Sequence, residues 1–124
     1  MSDVYRFKEY AGSGRGLMAR PVLPGNRIAF LADIESIDYA VYNTTDGGPA
    51  VTGSLVVADV MLAAVDTWAR DGKGYSFLWP APGSLWPLAG KVYRIVVSFH
   101  LKEDGAGDVF IETWEVTTTN PAVP

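Results

Sequence analysis

The sequence predicts an all-β domain, a sandwich of two antiparallel sheets, and three observations carry that expectation. In residues 91–118, Tyr93, Ile95, Val97, Phe99 and Leu101 alternate with Arg94, Val96, Ser98 and His100. A polar break at 102–108 follows, and then a second apolar run at 109–116. A period of two on each side of a glycine-containing break is the pattern of two antiparallel neighbours. Several further short apolar runs lie upstream, each closed by Gly, Pro, Asn or Asp. The sequence also holds no heptads and no repeats, so nothing favours a helical or solenoid architecture. A closed barrel is the alternative way to arrange the same strands.

Size and composition bound the answer. The chain has 124 residues, 48% apolar and 19% charged, which is one ordered domain's worth. A core of that size buries roughly two thirds of the unfolded surface and needs no staple. Cysteine is absent, which excludes disulfides and thiolate metal sites. The net charge of −4 argues against a nucleic-acid partner held by a broad basic face. Met1 to Arg6 lacks the apolar core of a secretion signal, and no run approaches the roughly 18 apolar residues of a membrane span. No membrane partner is expected, and the chain reads as one made and kept soluble in the cytoplasm.

Taken in order, residues 1–16 mix charge and aromatics and end in Gly12-Ser13-Gly14-Arg15-Gly16. This predicts a flexible N-terminal arm ahead of one domain at 17–119 and a short tail at 120–124. A phosphate-binding loop would need a preceding strand, a following helix and a Lys-Ser/Thr pair, none of which is evident. Residues 17–23 predict a first strand, placed at an edge by Pro21. Pro24-Gly25-Asn26 is a turn. Residues 27–31 form a short second strand, and 32–36 form a turn or one helical turn. Ile37, Tyr39 and Val41 alternate with Asp38, Ala40 and Tyr42 as a half-buried strand. Asp46-Gly47-Gly48 is a turn. Residues 54–58 predict a short strand. The period then changes: Val57, Val60, Met61, Ala64, Val65 and Trp68 share one helical face, predicting a helix over about 59–68 capped by Asp59. Residues 75–79 form a strand, and Pro80, Pro82, Gly83 and Pro87 prevent regular pairing until Lys91.

The segment Tyr93-x-Ile95-x-Val97, preceded by Leu88 and Gly90, resembles the strand after the tyrosine corner of immunoglobulin-like domains. There the tyrosine ties a loop back onto the sandwich. The resemblance makes Tyr93 that tyrosine and puts Ile95 where antibody domains place a cysteine. A wider likeness covers residues 27–118: Ile37-Asp38-Tyr39-Ala40-Val41-Tyr42, Asp59-Val60, Trp68-x-x-Asp71, Gly74-Tyr75-Ser76-Phe77, and the Tyr93 strand. This order is similar to small immunoglobulin-like proteins of phage structural gene clusters and to the N-terminal domain of phage baseplate upper proteins. The resemblance implies a non-catalytic particle component that packs against copies of itself or neighbouring subunits.

No residue set names a reaction. His100 is the only histidine, so a zinc site would need an unusual carboxylate-rich ligand set, and a partly exposed sheet residue is favoured. A Ser-His-Asp triad would rest on long-range coincidence, with no Gly-x-Ser-x-Gly elbow present. Glu103, Asp104 and Asp108 lack the alternation of a calcium loop and read as a solvated turn. Asp33, Glu35 and Asp38 read as solvent-facing rather than as a glycosidase pair. Asn43-Thr44-Thr45 matches a glycosylation sequon but reads as a polar turn. No cofactor and no metal is expected.

The aromatics are the stronger candidates. Trp79 and Trp86 sit on a Pro-rich segment, either exposed as interface anchors or folded inward over one open end of the sandwich. Tyr5, Phe7, Tyr10 and Arg15 join them as interface candidates on the N-terminal arm. Tyr93, Trp68 and Trp114 are expected to be structural. The expectation is a non-enzymatic assembly protein, a homo-oligomer or a subunit of a larger particle. The alternative is a carbohydrate-binding module stacking sugars on Trp79, Trp86 and Tyr75.

Overall fold

The computed structural model describes residues 4–23, 27–63, 68–70, 73–102 and 108–120. The expected turn at Pro24-Gly25-Asn26, the loop acids Glu103 and Asp104, the helical positions Ala64 and Val65, the side chain of Trp68 and the tail beyond Asn120 lie outside them.

The chain is all-β, with eleven described strands: β1 (Val4–Tyr10), β2 (Arg15–Ala19), β3 (Val22–Leu23), β4 (Arg27–Ile28), β5 (Ile34–Asn43), β6 (Val51–Leu55), β7 (Trp68–Arg70), β8 (Lys73–Tyr75), β9 (Phe77–Ala81), β10 (Val92–Leu101) and β11 (Val109–Thr119). One helical turn, α1 (Val57–Val60), and two 3-10 turns, Leu31–Asp33 and Gly83–Leu85, complete it. Five strands form one sheet in the order β1-β11-β10-β5-β6. Within it β1 runs parallel to β11, and the other neighbours are antiparallel. The remaining strands form the shorter antiparallel pairs β2-β9, β3-β4 and β7-β8, of which β9 packs against the five-stranded sheet.

The core lies where the period-two rows meet. Tyr93, Ile95, Val97, Phe99 and Leu101 of β10 are all buried, as are Trp114 and Val116 of β11 and Ile34, Ile37 and Val41 of β5. Rings from β9 close onto them. Phe77 meets Phe99 edge-on with centroids 4.9 Å apart, and Trp79 lies 4.9 Å from Tyr39. This is the geometry of a β-sandwich-like fold, in which inward residues of two layers interdigitate.

Three expectations are corrected. The flexible arm at 1–16 is replaced over Val4–Tyr10 by an edge strand whose seven residues register with Thr113–Thr119 of β11. Its alternation is broken by charge, so only the ladder reveals it. The helix over 59–68 is reduced to Val57–Val60: Met61 N donates to Val57 O and closes the turn. Beyond it the backbone is captured by neighbours. Leu62 N donates to Ser76 O at 2.9 Å, Leu62 O accepts from Leu31 N at 2.8 Å, and Met61 bridges Phe77. Such ties override helical period. Pro80, expected to end pairing, instead lies within β9 at an exposed position opposite Gly16 of β2. Smaller shifts accompany these. The strand at 17–23 is split at Arg20-Pro21, the strand at 27–31 shortens to Arg27–Ile28, and the strand at 54–58 falls earlier, at Val51–Leu55.

Candidate protein-contact cleft

β1 forms one edge of the five-stranded sheet, and β2 departs from it into the facing layer. The two strands separate after a tight turn. Ser13 N donates to Tyr10 O at 3.0 Å, and Gly12 takes φ +78°, a value that suits glycine. This turn is clasped from behind by the Pro-rich segment. Gly12 N donates to Trp86 O at 3.0 Å, and the Trp86 indole N–H donates to Ser13 O at 2.6 Å. The backbones are so close that a Cβ on Gly83 would overlap the Gly12 carbonyl. Of the glycines at 12–16, Gly12 serves the turn through its φ and Gly14 lets the backbone approach Ala81 O, where a hinged arm was expected.

Between the diverging strands opens a cleft of about 260 Å³, lined by Tyr5, Arg6 and Phe7 of β1, Arg15 to Met18 of β2, Tyr75 and Trp114. Phe7 rests edge-on against buried Trp86, with centroids 6.2 Å apart, and the Arg15 guanidinium sits over the Phe7 ring, 4.3 Å from its centroid. Such a stack holds the guanidinium by cation–π attraction. Glu9 Oε2 lies 3.7 Å from the same guanidinium. On the outer sheet face Glu115 joins two arginines, Arg6 Nε at 3.3 Å and Arg94 Nη2 at 3.2 Å. Tyr5 stands 40% exposed over Trp114, with centroids 6.4 Å apart, and Tyr10 is 47% exposed.

The interface candidates thus divide. Tyr5, Phe7 and Arg15 converge on the cleft, whereas Tyr10, opposite Thr119, lies on the other face of the same strand. Trp79 and Trp86 are buried, Tyr75 also, so the inward alternative holds and no exposed platform for sugar rings or a partner forms from them. The Pro-rich segment folds over the end of the sandwich and takes its rings inside, because Gly83 and Gly14 let two backbones meet there. Trp114 is buried. Tyr93 is buried with its hydroxyl accepting from Leu88 N at 3.2 Å.

The polar candidates have local partners. His100 Nε2 lies 3.1 Å from Asp38 Oδ2, while Ser54 Oγ donates to Asp38 Oδ1 at 2.9 Å. The carboxylate stands between hydroxyl and imidazole. In a nucleophilic triad the imidazole takes that middle place, so this set does not relay a proton from serine to histidine. Asp33 Oδ2 accepts from Phe30 N at 3.0 Å and closes a 3-10 turn. Among the described residues no group of three His, Cys, Asp or Glu side chains could hold a metal ion.

Two polar positions on the core-facing row of β11 escaped the sequence reading, Glu112 and Thr118, both buried. Their signal was available: each lies an even number of residues from Trp114. Thr118 organises the turn before β10. Its hydroxyl donates to Leu88 O at 2.6 Å and accepts from Lys91 N at 3.0 Å, while Gly90, at φ +73°, donates its N–H to Thr118 O. The polar turn at Asn43 is strapped to the same place. Lys91 Nζ lies 2.9 Å from Asp46 Oδ1, and Asn43 Nδ2 donates to Asp46 Oδ2 at 3.1 Å. The lysine hydrogen bond, helped by Asn43, holds the Asp46 carboxyl below its ordinary range.

In comparisons with known proteins, no family model, no curated protein and no solved structure matches this chain.

Proposed function

We propose that this protein is a non-catalytic structural subunit of an assembly, a phage particle, working through protein–protein contacts at the cleft between β1 and β2. The observation that carries the reading is the aromatic edge itself. Tyr5 presents its ring to solvent beside a cleft lined by Phe7, Arg15 and Trp114, Tyr10 is exposed on the outer face of the same strand, and the turn after that strand is tied to Trp86. Rigid aromatic and arginine side chains beside a preformed cleft are the residue types that anchor interfaces.

The finer fold reading supports the same function. The run β11-β10-β5-β6 has the order of the G, F, C and C′ strands of variable-type immunoglobulin sandwiches. Tyr93 lies near the start of the F-like strand with its hydroxyl tied to backbone five residues upstream, as a tyrosine corner requires. The particle itself is supplied by the resemblance to small immunoglobulin-like phage proteins.

The test is sedimentation of the whole chain over rising concentration. The reading expects growth beyond two copies, arrested at two or fewer by Tyr5→Ala with Tyr10→Ala. A wild-type chain that never exceeds two copies, or a double variant that grows as well as wild type, overturns it.

A further inference from the structure

The other edge of the five-stranded sheet has a different character. β6 pairs with β5 alone among the described strands, so its outer row of N–H and C=O groups is left without a strand partner. Proteins keep such edges apart with charges, prolines or bulges. Residues 51–57 contain neither charge nor proline, and the β5–β6 register runs without a break. Val51 is 53% exposed and Val56 64%. The opposite edge, β1, carries Arg6, Lys8 and Glu9.

We propose that β6 pairs with β6 of a second copy, antiparallel about a two-fold axis at Gly53, joining two five-stranded sheets into one of ten. The inference deepens the assembly reading by naming one contact and its partner. An antiparallel edge is self-complementary: a two-fold axis normal to the sheet brings each donor of one copy onto an acceptor of the other. That axis keeps outer side chains on the outer face. Thr52 then opposes Ser54 of the second copy, and both are exposed here. Gly53 marks the centre of the five-residue strand. The Tyr39 ring fills the space where a Cβ would stand, so the strand's middle is packed from within its own copy and offers backbone outward.

Charge favours the same partner. Each copy carries −4, so like copies approach best where like charge is least. The acid facing Thr52 and Ser54 is Asp38 on β5, hydrogen-bonded by Ser54 and paired with His100. A five-residue ladder buries little area, which sets the dimer at the weak, reversible end of interfaces.

The register gives a test that reads sign as well as strength. Thr52→Lys with Ser54→Lys sets lysine against lysine across the axis twice. Thr52→Glu with Ser54→Lys sets glutamate against lysine twice. The Ser54→Lys change, beside Asp38, is common to both variants, so its effect on that carboxylate cancels in the comparison. Sedimentation over rising concentration should show wild type passing through a dimer as one step of its association, that step weakened ~10-fold or more by the first pair of changes and recovered by the second. Hydrogen exchange reads the same contact without substitution: amides of residues 51–55 should slow as concentration rises. A wild-type chain that stays monomeric to about millimolar concentration, or the two variants dimerising alike, overturns the proposal. A chain that dimerises through β6 yet never passes two copies defeats the cleft reading and leaves this one standing. Growth that survives the lysine pair, with β6 amides unchanged, does the reverse.

Discussion

The two edges of the five-stranded sheet solve the same physical problem in different ways. Among the described strands, both leave one side of a strand without a partner in the sheet. β1 is charged and borders a cleft, Arg15 stacks on its Phe7, and the turn that follows it is held by the Trp86 indole and by close backbone approach at Gly14 and Gly83. β6 is short, neutral and open, with valines exposed beside it. The first edge is built to resist indiscriminate pairing while presenting specific side chains. The second presents backbone, which any antiparallel strand of like geometry can read. A subunit with one side-chain surface and one backbone surface can close a pair through one and extend through the other.

The largest expected effect tests how β1 is held. Trp86→Ala removes a fully buried ring together with the donor to Ser13 O. It should cost about 3–5 kcal/mol by denaturant unfolding. Exchange of the β1 amides should rise well before those of β6, and equal fraying of both edges would break the contrast. Next comes Gly83→Ala, whose Cβ must displace the Gly12 backbone. A loss of about 1–3 kcal/mol is expected, with the cleft residues Tyr5 and Phe7 perturbed in NMR shifts and Thr52 and Ser54 silent.

Tyr93→Phe serves as the control common to both edges. It leaves Leu88 N without its 3.2 Å acceptor in the turn before β10. About 1 kcal/mol should be lost, with no preference for either edge in exchange rates. The smallest effect lies on the β6 side. Lys91→Met frees Asp46 and loosens the turn that leads from β5 toward β6. The Asp46 carboxyl sits below its ordinary 3.8 when folded. The stability it contributes is therefore complete above that ordinary value and is lost as pH falls through the lowered one. Wild type and the variant should differ slightly in Tm at neutral pH and converge in strong acid. A gap that widens with acid would reverse the assignment.

What the sequence made legible follows from range. The β10–β11 hairpin and the β5 row are written in local alternation, and the rows on these strands face the core as their period demands. The strand β1 is not written that way. Its pairing with β11 spans almost the whole chain, and its charges mask the period. Helical spacing at 57–68 was genuine, but a single backbone capture at Leu62 outweighed it. Trp79 and Trp86 could be placed on a Pro-rich segment from sequence, whereas their burial depended on two glycine contacts between distant segments. Of the cleft, Tyr5, Phe7 and Arg15 were named in advance, but their convergence rests on the path of β2.

The parallel run of β1 against β11 has a mechanical consequence. Val4 lies opposite Thr113 and Tyr10 opposite Thr119, so Val4 and Thr119 stand at opposite ends of the same ladder. A tensile load applied between them pulls these strands lengthwise past each other. Every rung then bears force at once, where a hairpin pulled from its open end would unzip rung by rung. The chain loaded along this axis would yield abruptly, at high force, rather than by gradual peeling.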